Sequence, residues 1–215
     1  KQCVQDHVLE IGIVLHLIDH QMFDIAIELD VVDKNYASFI KLGNKPKSNK
    51  HKPFTNDEIG KLFSAVFTED IADTVLIMIY TGMRPSELLG MKTENIHLSE
   101  KYMVGGVKTE AGKGRVIPIS DKVMPLVRKR YNKENRFFID MTYPAYSRHF
   151  KELMDKLGME HLPHDCRHTF ASMANTAGVN PTSVKLIMGH ASQDLTERVY
   201  THKAVEELIS AVNMI

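Results

Sequence analysis

Tryptophan is absent from the 215 residues, cysteine occurs twice, and the formal net charge is zero. Each absence excludes something. Two cysteines as far apart as Cys3 and Cys166 make no disulfide framework, so a reducing cytoplasm is the natural setting. No apolar run reaches the ~18 residues that a membrane span needs. The run near Ile11 to Ile18 is interrupted by His16 and followed by Asp19. The start shows no basic segment leading to a small-residue cleavage site, so no secretory signal is read there. Zero net charge argues, taken alone, against a nucleic-acid partner, because neutralising phosphates needs clustered Lys and Arg. What is present is ordinary globular composition, 43% hydrophobic and 25% charged, which sets aside disorder and fibrous classes.

The charge total hides a pattern. Residues 2–33 carry seven acids and no Lys or Arg, whereas residues 34–52 carry six lysines and no acid. Residues 54–104 hold eight acids against four bases, and residues 107–136 hold nine bases against three acids. Blocks of alternating sign can place a basic stripe on a neutral protein. The expectation is a basic concave side built from 34–52 and 107–136, with the acidic segments facing away.

The periodicity predicts a mainly helical chain with one small antiparallel sheet, an α+β class. Residues 4–29 read as helix, followed by a short helix at 35–42. Residues 44–53, with Pro46, Pro53 and four lysines, have linker composition. Thr55 and Glu58 form a capping box that opens a helix to about Phe67. Further helices are expected at 70–80, 84–91, 121–131, 143–157, 165–177, 181–188, 194–200 and 203–213. Strands are expected at Ile96, 102–107 and 115–119, with a turn at Glu110–Gly114 and Pro118 on an edge strand. One helix and a short one cannot enclose a core alone. Residues 1–43 therefore read as the end of a helical domain, 44–53 as a linker, and 54–215 as the main domain.

Several polar residues ask for an explanation. Arg84 stands in the first turn of a helix, where the dipole disfavours a cation unless it faces an anion. Glu87, three residues on, shares its face and can orient the guanidinium. A surface ion pair explains the two equally well. His164 and Arg167 are also three apart and can converge on one oxyanion. His164 and His168 have a spacing that suits a metal pair, but the metalloprotease glutamate is not next to the first histidine, and no further ligands stand out, so metal is the weaker reading. His168 reads as a structural histidine inside its helix. Lys108, Lys113, His190 and Tyr200 each have a bland explanation when taken singly.

Their combination does not. In order along the chain, Thr81–Leu88 (TGMRPSEL), Lys108–Ile119 (KTEAGKGRVIPI), His164–Ala171 (HDCRHTFA), Leu186–His190 (LIMGH) and Tyr200 resemble the catalytic-domain motifs of the tyrosine recombinases, the phage integrase family. The resemblance covers residues 54–215 and is nearest in kind to integrases of conjugative transposons and phages of Gram-positive bacteria. Residues 1–43 resemble the end of that family's core-binding domain.

The resemblance implies the tyrosine-recombinase catalytic fold and DNA strand breakage and rejoining through a 3′-phosphotyrosyl bond, without metal or cofactor. Arg84, Arg167 and His190 then hold the scissile phosphate. Tyr200 is the nucleophile, His164 the base and Lys108 the acid, with Glu87 and Asp165 in support. Lys45, Lys47, Lys50, Lys52, Lys113 and Arg115 are the expected DNA-contacting cations. Implied partners are duplex DNA at attachment sites, three further copies in a tetramer on DNA, and an excisionase or DNA-bending accessory protein. A monomer is compatible with the free state, and the setting is the bacterial cytoplasm at the nucleoid. Two other readings stay open: DNA relaxation of the type IB topoisomerase kind, and a DNA-binding module without activity.

Overall fold

A computed structural model of the chain describes residues 15, 18–29, 31–40, 52–105, 114–190 and 202–215. The front of the first predicted helix, most of the linker, the hairpin turn and the helix expected at 194–200 lie outside these residues. The chain divides into two compact units, Lys1–Asn49 and Lys50–Ile215.

In the first unit, residues 18–28 are helical and Tyr36–Phe39 form one 3-10 turn. Asn35 ties the two together. Its Nδ2 donates to Asp24 Oδ1 (2.7 Å) and to the His20 carbonyl (3.0 Å), while its Oδ1 accepts the Ala37 N–H (3.0 Å). The expected short helix at 35–42 is thus a single tight turn capped by an asparagine.

The second unit begins where sequence chemistry dictates. Thr55 and Glu58 close their capping box, and helix α1 runs Asn56–Ala65. Phe54, just before it, donates its N–H to Thr169 Oγ1 (2.9 Å) and stacks its ring on His161 at 3.7 Å. The chain is therefore fastened as it enters this unit.

Helix α2, Ala72–Thr81, is buried at every position. A run of Val-Leu-Ile-Met-Ile with no polar face can only be stable at the centre of a fold. Its one acid, Asp73, is 2% exposed and meets the Arg130 Nε at 2.6 Å. Helix α3 is Pro85–Leu89, shorter than the expected 84–91 because Gly90 ends it.

Strands β1 (Ile96–His97), β2 (Tyr102–Gly105) and β3 (Arg115–Pro118) form an antiparallel sheet in that order, with Met103 opposite Ile117. Pro118 closes β3, the edge strand, as expected. Helices α4 (Met124–Arg130), α5 (Tyr143–Leu157), α6 (Asp165–Thr176), α7 (Pro181–Met188) and α8 (His202–Val212) complete the unit. Helix α6 packs on α2, while α7 and α8 pack on β3. The observed mainly helical architecture with one small sheet is the class read from periodicity.

His168 differs from its expectation. It is exposed, because the buried arc of α6 runs through Cys166, Arg167, Phe170 and Ala174 on the other side. Its ring meets His164 edge-on, with centroids 5.4 Å apart.

Gly82 ends α2 in the left-handed region, at φ 66°. A β-carbon there would lie 2.7 Å from the Phe170 ring on α6. Gly82→Ala therefore combines left-handed strain with overpacking, and about 2–4 kcal/mol of stability should be lost. Urea unfolding of the two proteins measures it; a loss near zero would show that Phe170 moves aside freely.

Candidate active site

The turn after α2 places Arg84 at the mouth of α3, with its side chain 21% exposed. Its backbone N–H donates to Glu87 Oε2 (2.7 Å) and its Nη1 to Glu87 Oε1 (3.0 Å). Glu87 thus caps the short helix and holds the guanidinium at once.

Arg167 projects from the first turn of α6 and is 3% exposed. Its Nη1 donates to the Gly82 carbonyl (2.7 Å), and its Nη2 to the Met188 carbonyl and to His190 Nε2. One guanidinium thereby ties the turn after α2 to the end of α7. Gly189 closes α7 in the left-handed conformation, and the His190 N–H donates back to the Lys185 carbonyl (2.8 Å). That closure carries His190 to Arg167.

Arginine has donors only, so His190 Nε2 is the acceptor and the ring proton belongs on Nδ1. The His190 pKa lies below 6.5, lowered by burial first and then by Arg167, Arg84 and Arg115; Glu87 opposes them. Protonation would turn the acceptor into a donor facing Arg167. The unfolded chain takes up that proton more readily, so stability is full above pH 6.5 and falls as the pH drops through the lowered value. His190→Gln should flatten this part of the melting-temperature profile. An unchanged slope in the variant would assign it to other histidines.

Arg115 corrects an expectation. Read as a DNA-contacting residue of the hairpin, it is 1% exposed. Its Nη1 and Nη2 fork onto Glu87 Oε1 and Oε2 at 2.7 and 2.8 Å, and its Nε donates to the Ile187 carbonyl (2.8 Å). The residue is consumed inside the fold. Arg130, from the same basic segment, is spent on Asp73, so 107–136 is not uniformly a surface stripe.

Two guanidiniums therefore bond one carboxylate, and a third, that of Arg167, feels its charge. Glu87 is held ionised, with its pKa lowered to about 2: burial opposes ionisation, but Arg115 and then Arg84 overcome it. Arg167 is brought down to about 10 by burial, then by Arg84 and Arg115. It stays charged at neutral pH. The positive excess is what a phosphate would neutralise.

His164 is half-buried at the start of α6, three residues before Arg167 on the same helix. Asp165 is buried; its Oδ2 accepts the Leu162 N–H (2.9 Å) and lies 3.3 Å from His161 Nδ1. Through that bond it steadies the entry to α6. His161 was not singled out from sequence; it is buried between Asp165 and Glu58, whose Oε1 lies 3.2 Å from its Nε2. Lys52 is exposed. Lys45, Lys47, Lys50, Lys108, Lys113 and Tyr200 lie outside the described residues. No group of three or more potential metal ligands occurs among the described residues.

The profile of the phage integrase family matches residues 52–207, and the chain belongs to that family. It is similar to the tyrosine recombinase XerA of Saccharolobus solfataricus, 28% identical over 166 residues, covering 76% of this chain and 56% of the relative. It is also similar to the integrase of Escherichia phage P2, 32% identical over 160 residues, covering 74% and 45%. The chain thus spans about half the length of these curated relatives. Among solved structures, the Tn1549 transposon integrase in complex with circular intermediate DNA superposes with a TM-score of 0.63 at 22% identity, over 87% of this chain and 74% of that one. The lambda integrase dimer bound to a COC′ core site gives 0.63 at 16%, over 84% and 71%. These structural likenesses establish the tyrosine-recombinase catalytic fold.

Proposed function

We propose that the chain is the catalytic part of a tyrosine-type site-specific DNA recombinase that integrates or excises a mobile element. The observation that carries this reading is the joined cluster of Arg84, Glu87, Arg167 and His190, delivered by α3, α6 and the end of α7. The relatives named recombinase and integrase support it.

The chemistry follows from the charges. Attack on a phosphodiester builds negative charge on the non-bridging oxygens. Arg84 and Arg167 supply planar donors to them, each contributing about 3 kcal/mol by analogy with oxyanion-hole donors. The Tyr200 hydroxyl attacks phosphorus and passes its proton to His164. The bond from tyrosine oxygen to phosphorus forms, the bond from phosphorus to the 5′ oxygen breaks, and Lys108 protonates the departing oxygen. His190, with its proton on Nδ1, adds a neutral donor. Because the phosphodiester energy is kept in the tyrosyl bond, a different 5′ hydroxyl can reverse the step without a nucleotide or other cofactor.

Duplex DNA at attachment sites is the proposed substrate, met by Lys45, Lys47, Lys50, Lys52 and Lys113. Recombination takes four protomers on two duplexes, together with an excisionase or DNA-bending protein, in the bacterial cytoplasm. A nicked suicide substrate tests the chemistry, because the freed short strand diffuses away and leaves the enzyme attached. A detergent-stable, protease-sensitive adduct that depends on the site sequence is expected. Relaxation of supercoiled DNA without sequence preference would favour the topoisomerase reading, and binding without any adduct a non-catalytic module.

A further inference from the structure

Glu87 offers four acceptor positions, and all four are filled. Oε1 takes Nη1 of Arg115 and Nη1 of Arg84; Oε2 takes Nη2 of Arg115 and the backbone N–H of Arg84. A carboxylate has about four lone-pair sites, so nothing is left over. The forked pairing, the strongest geometry between guanidinium and carboxylate, goes to Arg115 and not to Arg84. Arg84 is left with a single side-chain bond to Glu87 while remaining partly exposed.

Arg115 also joins the elements that carry the cluster. Its Nε bonds the Ile187 carbonyl, and the next carbonyl along, that of Met188, takes Arg167. The two arginines thus hold consecutive carbonyls at the end of α7, one residue before the glycine that presents His190. Arg115 is 1% exposed, and all three of its side-chain nitrogens are already bonded inside the fold.

We propose that Arg115 is a positioning residue: by occupying the forked face of Glu87, it keeps Arg84 from collapsing onto that carboxylate and leaves the Arg84 guanidinium free for the scissile phosphate. The inference rests on the recombinase reading. Without Arg115, Glu87 would still face Arg84 on α3, Arg167 on α6 and His190 after α7. Arg84 would then take both carboxylate oxygens, and the loss of one cation would let Glu87 protonate at a higher pH.

The test compares wild type with Arg115→Met and Arg115→Lys on the nicked suicide substrate. Single-turnover rates are read below each protein's own melting temperature. DNA affinity is read by gel shift in a Tyr200→Phe background. Misplacing one phosphate-holding group should slow cleavage by Arg115→Met about 100-fold. Arg115→Lys, a point charge that cannot fork, should be slowed about 10-fold. Affinity should change less than about threefold, because the lost contact is with Glu87 and not with a DNA phosphate. Both proteins should lose rate in acid as the His164 base protonates, and Arg115→Met should add to that limb a second titration at lower pH, reporting Glu87. A residue serving only as a buried staple would lower the melting temperature and leave the rate of the folded protein intact. Wild-type rates in both folded variants would overturn the proposal. Should Arg115→Met not fold, the Arg115→Lys rate decides alone. A wild type that never forms the adduct would reject the recombinase reading and this role with it. Equal rates beside a reactive wild type would reject this role only.

Discussion

Tyr200→Phe protein should bind its site as wild type does and form no covalent adduct. The substitution removes one oxygen, the atom proposed to attack phosphorus, and keeps the ring. An unperturbed phenol has a pKa near about 10, so at neutral pH the hydroxyl must lose its proton as it attacks. The arginine cluster cannot substitute for it, because its members have only donors to offer. Deleting a nucleophile from a preorganised site typically costs about a millionfold in rate, which here means no adduct on any laboratory time scale. Binding should persist, because backbone phosphates dominate the affinity of a DNA protein and the cations that meet them are untouched. Adduct formation by Tyr200→Phe would assign the nucleophile elsewhere. Loss of binding along with the adduct would mean that the phenol serves the fold.

Local rules were legible from the sequence where a local cause sufficed. Thr55 and Glu58 mark the start of α1 because a capping box needs only four consecutive residues. Tyr143–Leu157 and Pro181–Met188 have the predicted bounds because a proline near each start and a glycine at each end set them. The pairing of Arg84 with Glu87 was legible for the same reason, at a spacing of three on one helix. Arg115 was not. In sequence it sits after a Gly-Lys-Gly turn and reads as one more exposed cation of a basic hairpin. Its burial depends on Glu87, 28 residues away, and on a carbonyl 72 residues away. No periodicity reports a partner at that distance. Only the burial of Glu87, visible once the chain is folded, points to a second partner: a carboxylate 3% exposed requires more compensation than one partly exposed arginine can give. His161 escaped for a like reason, since neither Glu58 nor Asp165 marks it as buried until α1 and α6 are brought together. The zero net charge is now better resolved as well. Part of the basic segment balances buried acids, so counting its cations overstates what remains for DNA.

Glu87→Gln should be among the most damaging single substitutions for both stability and cleavage. The carboxylate is the counter-charge of Arg115, which is 1% exposed. Removing one partner of a buried ion pair leaves the other uncompensated and costs about 3–5 kcal/mol. Proton linkage sets the same scale from the other side. Glu87 takes up its proton near 4.5 in the unfolded chain and near 2 in the fold. Between those values the unfolded state binds more protons, so the stabilisation is complete above pH 4.5 and is lost as the pH falls toward 2. At about 1.4 kcal/mol per pH unit, the displacement corresponds to roughly 3 kcal/mol, within the range set by the broken pair. Urea unfolding at a series of pH values should therefore show wild type losing stability between pH 4.5 and 2. Glu87→Gln should start lower by about that amount and be flatter across the same window. Parallel profiles would place the acid-sensitive group elsewhere. Cleavage should fall as well, by about 100-fold, because a glutamine carries no charge to hold Arg84 at the phosphate. The loss should persist at temperatures where the variant is fully folded. That separates the two roles of one carboxylate, as the counter-charge that lets β3 be buried with an arginine and as the holder of the guanidinium proposed to meet the DNA.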